Sequence, residues 1–124
     1  MKVQFETVGE ICTLRLEGRF ATGQDSEYLR TKTEELKKTG CRHIIADFSK
    51  VSYIDSTGIG FLIAIYTGVL RDRGGEFVLS APNRRVREVL DLTKLSSILK
   101  LYDTETAART ALQSGTGLQS ERSV

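Results

Sequence analysis

Residues 2–6 alternate polar and apolar, with Val3 and Phe5 on one side. Residues 11–17 do the same with Cys12, Leu14 and Leu16 inward, and Gly9 between the two runs makes them a hairpin. Residues 18–23 read as a loop. Asp25 or Ser26 can then cap a helix running to Lys38, with Leu29 and Leu36 inward and Gly40 as its left-handed stop. Residues 43–48 are a short apolar run suited to a strand buried on both faces. A polar turn follows, and it opens a long apolar helix over residues 56–73, ended by Gly74-Gly75. Residues 76–80 give the next strand, 83–92 the next helix, 98–102 the last strand and 104–113 the last helix. This order, β-β-α-β-α-β-α-β-α, predicts an α/β fold: a mostly parallel mixed sheet of about five strands with an N-terminal antiparallel hairpin, and about four helices. Residues 1–113 form one domain. Residues 114–124, Gly/Ser-rich and without periodicity, are expected to be a flexible C-terminal tail.

Composition narrows the classes of function. Forty per cent hydrophobic and 27% charged residues is the balance of a soluble globular domain. Eighteen Lys and Arg against 16 Asp and Glu leave +2, too small a margin to announce nucleic acid or an anionic membrane. The opening residues lack the apolar core of a signal peptide, and the longest apolar stretch, residues 59–70, is too short to span a bilayer. A cytoplasmic protein is expected. Cys12 and Cys41 make neither a disulfide framework nor a four-ligand metal site. His43, the one histidine, opens a strand, and Ile54-Asp55-Ser56-Thr57-Gly58 lacks the first glycine of a hydrolase nucleophile elbow. No Gly-Lys-Ser/Thr follows Gly58 and Gly60, so they are not a P-loop. Arg84, Arg85 and Arg87 cluster without interleaved aromatics, which is poor evidence for RNA. The expectation is a protein that is not an enzyme and carries no metal and no cofactor.

The informative stretch joins the buried strand to the long helix. Ser56 stands where that helix begins, beneath backbone N–H groups that no preceding carbonyl satisfies, so Asp55 or Ser56 can serve as N-cap. Gly58 and Gly60 occupy the first helical turns, where each costs about 1 kcal/mol relative to alanine. A cap does not require them, whereas close approach of another backbone to the Ser56 hydroxyl does. On a 3.6-residue period Ile59, Leu62, Ile63, Tyr66, Val69 and Leu70 form a stripe facing the sheet. Phe61 and Ile65 fall on the opposite side, where they either pack on a neighbouring helix or form an exposed apolar patch of the kind that marks a partner surface.

Asp55-Ser56-Thr57-Gly58-Ile59-Gly60, after a strand and before a long helix, resembles the phosphorylation motif of the STAS domain, and more narrowly that of the bacterial anti-sigma factor antagonists. Gly18 after the second strand, Arg73-Gly74-Gly75-Glu76 before the fourth, and residues 86–95 extend the resemblance over residues 1–113. It implies a protein-binding switch in which Ser56 is the phosphoacceptor and Asp55, Thr57, Gly58, Ile59 and Gly60 its motif. The implied partners are an anti-sigma factor that is also a serine kinase, and a serine phosphatase that resets the switch. The unphosphorylated protein would bind the anti-sigma factor and free the sigma factor. Phe61 and Ile65, with Ala21, Thr22 and Gly23, are the expected partner-binding residues. The family often has aspartate in a Gly-x-x-Asp pattern after the second strand, whereas this chain reads Gly18-Arg19-Phe20-Ala21. That departure leaves room for two other readings, a STAS scaffold within a larger signalling assembly and a nucleotide-binding STAS domain.

Overall fold

The computed structural model describes residues 1–21 and 26–122, and the side chains of all of these but 26, 69–73 and 114–122. Five strands, β1 (Lys2–Val8), β2 (Ile11–Phe20), β3 (His43–Ile54), β4 (Phe77–Ser80) and β5 (Lys100–Tyr102), form one sheet in chain order. β1 and β2 are the expected antiparallel hairpin, and β2 through β5 run parallel. Between them lie α1 (Ser26–Lys38), α2 (Ser56–Arg73) and α3 (Arg84–Leu92), and α4 (Glu105–Arg122) follows β5. The result is the mixed α/β sheet with four helices that the element order predicts.

Strand alternation sorts the side chains between the two faces of the sheet. Cys12, Leu14 and Leu16 of β2, Ile44, Ala46 and Phe48 of β3, and Phe77 and Leu79 of β4 share one buried cluster. Leu29 and Leu36 of α1, Phe61, Leu62 and Ile65 of α2, and Val86 and Leu90 of α3 close it. On the other face Ile11, Ile45 and Val78 pack against Ala108 and Leu112 of α4.

Two strands run further than their hydrophobic pattern suggests. Residues 18–20 are strand rather than loop, and β3 continues through the supposed turn after Phe48 to Ile54. The cause is a pair of register shifts, between Arg15 and Glu17 and between Gly18 and Arg19, each giving β3 one more residue than β2. Such bulges bend a strand and reset which face a side chain meets, so the alternation breaks while pairing persists. The Asp47 carboxylate accepts the Ser49 N–H at 2.9 Å within the first bulge, and Gly18, which borders the second on the β2 side, takes a positive φ of +97°. Between the bulges Val51, and beyond them Ile54 and Phe20, are buried again. At the C-terminus α4 continues to Arg122, past residue 113 where the last helix was expected to end. Extending a formed helix costs far less than starting one, so weak helix formers can be carried along.

Candidate functional site

Because β3 reaches Ile54, Asp55 arrives beside the end of β2 and its N–H donates to the Phe20 carbonyl at 3.0 Å. The Asp55 carboxylate accepts the Thr57 N–H at 2.9 Å, and its carbonyl accepts the Ile59 N–H at 2.9 Å. Asp55 is therefore the N-cap, and its charge suits the positive end of the helix dipole. Ser56 becomes the first helical residue and is exposed, while Thr57 is half-buried.

The two glycines do different work. A Cβ on Gly58 would lie 2.5 Å from Ile54 Cγ1 and 2.9 Å from Phe20 Cβ. Its absence lets the first turn of α2 rest on the ends of β2 and β3, an internal packing reason and not the partner approach expected from sequence. Gly60 is exposed and a Cβ there would meet nothing within 4 Å. Only this glycine keeps the surface open on the outside.

The structure corrects the orientation of α2. Phe61 and Ile65, expected opposite the core, are 6% and 1% exposed, and Phe61 stacks on Phe20 with ring centroids 6.2 Å apart. The inward stripe is Gly58, Phe61, Leu62 and Ile65, whereas Ile63, assigned to the core, is 43% exposed. From residue 58 to 66 this helix carries only glycine, apolar residues and Tyr66, so periodicity had little contrast there from which to choose a face. The exposed apolar patch does not exist at Phe61 and Ile65. The side chains of Val69 and Leu70 lie outside the described set. Ala21 is buried at 6% exposure, and Thr22 and Gly23 lie outside the described residues.

What α2 does expose is a row of small residues, Ser56, Gly60, Ala64 and Thr67. Ser56, Gly60 and Ala64 of this row border a groove of about 410 Å³ between α1 and α2, floored by Leu29 and Phe61 and edged by Arg30, Glu34 and Lys37 of α1. In the sequence α1 reads only as scaffold. Its charged edge carried no motif, and only the packing of α1 on α2 brings it beside Ser56. Beside the β2–β3 end, the Arg19 guanidinium lies over the Tyr53 ring at 4.9 Å.

The perturbed charges belong to other places. Arg15 meets Glu105, Glu6 and Asp47 on the α4 face, and Arg109 bridges Glu105 and Thr13. Its hydrogen bonds to Glu105 raise the Arg15 pKa against the opposing effect of burial. Arg15 in turn holds the Glu105 carboxyl below its usual range, with Arg109 helping. Burial would raise Asp47, but hydrogen bonds from Ser49 and Arg15 outweigh it and hold its pKa down. His43 is buried at the far end of the 12-residue β3 from Ser56 and accepts the Glu76 N–H at Nδ1, 3.0 Å. Burial, then the Arg42 charge, lowers its pKa. Arg84 and Arg87 are occupied by Glu88 and Asp103. Among the described residues no cluster of three or more His, Cys, Asp or Glu could hold a metal, and no helix is long and apolar enough to cross a membrane.

A doubly covered, mostly parallel sheet with a capped Asp-Ser-Thr-Gly helix start at the end of its second parallel strand agrees with the family comparison: residues 2–108 match the STAS domain, and the chain belongs to that family. Among its relatives, the anti-sigma F factor antagonist of Paenibacillus polymyxa is 26% identical over 114 residues, covering 91% of this chain and 96% of that one. A Thermotoga maritima crystal structure described as a proposed anti-sigma factor antagonist superimposes with a TM-score of 0.81 at 27% identity, covering 90% and 94%. The Bacillus cell fate determinant SpoIIAA, solved in its phosphorylated form, gives 0.67 at 25% identity, covering 89% and 98%.

Proposed function

We propose that this protein is an anti-sigma factor antagonist switched by phosphorylation of Ser56. The observation that carries the reading is the exposed Ser56 at the first position of α2, with Asp55 performing the cap and the open Gly60 one turn on. A serine spent as N-cap would be a structural residue. Here the capping bond from Thr57 goes to Asp55 instead. An anti-sigma factor acting as kinase would transfer the γ-phosphoryl group of ATP to Ser56 Oγ, which loses its proton while ADP leaves, and a serine phosphatase would hydrolyse the ester.

The partner surface in this reading is the exposed row Ser56, Gly60 and Ala64 with the adjoining groove, in place of Phe61 and Ile65. A phosphoserine brings about −1.5 to −2 charges. Placed beside Asp55 and buried under a partner, it costs several kcal/mol in repulsion and desolvation, and about 2.8 kcal/mol already lowers affinity a hundredfold. The interface should fail before the fold does. Affinity capture with Ser56→Ala and Ser56→Asp as paired baits tests this. The alanine bait is expected to retain an anti-sigma factor that the aspartate bait loses, and phosphopeptide mapping should find the phosphate on Ser56. Equal capture by both baits, or phosphate on Thr57 alone, would overturn the reading.

A further inference from the structure

We propose that Arg30 of α1 is the internal receptor for a phosphate on Ser56, bridging the mouth of the α1–α2 groove in the phosphorylated state. The inference rests on Ser56 being the phosphoacceptor and adds where the phosphate goes. Ser56 and Arg30 edge the same groove from opposite helices, and the floor beneath them is Leu29 and Phe61. Arg30 is engaged by Glu27 at 2.8 Å, with the two side chains 73% and 84% exposed. An exposed pair of this kind contributes little and exchanges readily. A dianionic phosphate accepts two parallel N–H bonds from a guanidinium, a stronger and more directional contact than the one it replaces.

The other charges around the groove leave this role to Arg30. Lys37 also edges it but lies two turns further along α1 and is shared with Glu34 at 3.5 Å. Asp55 repels the phosphate from the β3 side, which favours a rotamer of phosphoserine turned toward α1. The bridge then spans the groove that, unphosphorylated, stands open to an apolar side chain of a partner. Closure of the groove would thus add to charge repulsion in releasing the partner, with no movement of the helices.

The test uses the full chain with phosphoserine installed at position 56 during synthesis, so that it needs neither kinase nor partner. Phosphorus NMR follows the second ionisation of the phosphate, ordinarily near pH 6. In the otherwise native chain it is expected at a pH lower by about 0.5 or more than in Arg30→Gln, the shift that one cation at contact distance produces in water. Lys37→Gln should change it less, and Arg30→Lys should restore part of it. Identical titration in the native chain and in Arg30→Gln would overturn the capture, as would a larger effect from Lys37→Gln. Neither result would touch the assignment of Ser56, which stands or falls with the paired baits.

Discussion

Beneath α1, α2 and α3 the sheet presents Leu14, Ala46, Phe48 and Leu79 to a continuous apolar cluster. Beneath α4 it offers Ile11, Ile45 and Val78, then gives way along β2 and β3 to Arg15 and Asp47, which pair with each other while Arg15 ties the sheet to Glu105. Apolar burial is non-directional and scales with area, so the first face can hold a helix firmly wherever its stripe points. Ion pairs are directional, and on the second face they fix where the start of α4 sits more than how strongly it is held. Ser56 belongs to the first face. An exposed residue there is presented by a helix anchored through Phe61, Leu62 and Ile65, so chemistry at its tip need not disturb the core.

The sharpest way to break this contrast is Phe61→Ala. It removes a ring stacked on Phe20 and should cost about 3–5 kcal/mol in denaturant unfolding. A loss of partner affinity with unchanged stability would mean that the first face does not depend on it. Gly58→Ala comes next. The new methyl must displace Ile54 and Phe20, at about 1–3 kcal/mol, of which improved helix propensity returns at most about 1 kcal/mol.

The second face should answer to pH. Asp47 and Glu105 have folded-state pKa values below their ordinary 3.8 and 4.5. The unfolded chain therefore binds more protons in this window, so their contribution is present above it and lost as pH falls through it. Arg15→Met should cost about 1–2 kcal/mol at pH 7, less than a fully buried pair because Arg15 is 34% exposed. The gap to the native chain should then narrow between about pH 5 and pH 2, and thermal melts across that range would show it. A constant gap would mean that the carboxylates do not depend on Arg15. Gly60→Ala is the smallest change. With open space around it, the variant should gain up to about 1 kcal/mol of stability, while anti-sigma affinity falls if the row beside Ser56 is the contact surface.

The topology and the helix start were legible because both rest on strong local signals. Gly9, Gly40 and Gly74 take positive φ at chain reversals, and Asp55 precedes a long helix with an apolar middle. The inward face of α2 was not legible. With Ile59, Phe61, Leu62, Ile63 and Ile65 all apolar, the choice of stripe is made by α1 and by Phe20, and neither is near in sequence. The length of β3 was hidden for a different reason. Ser49 and Lys50 look like a turn, and only pairing with β2 shows that two bulges absorb them. At the site, the motif gave Ser56 and Asp55 their places. The groove and its Arg30 edge exist only after α1 and α2 meet.

The spatial order of the strands repeats their order of synthesis. Each new strand leaving the ribosome finds its neighbour already at the growing edge, and none has to wait for a later segment or slip between two finished ones. Pairings close in sequence are also the ones that form fastest. The surface around Ser56 draws on β2, α1, β3 and α2, and the sheet is extended beside it by β4. A nascent chain can therefore display Ser56 before α4 has been translated, and the region around it is the older half of the molecule in folding time.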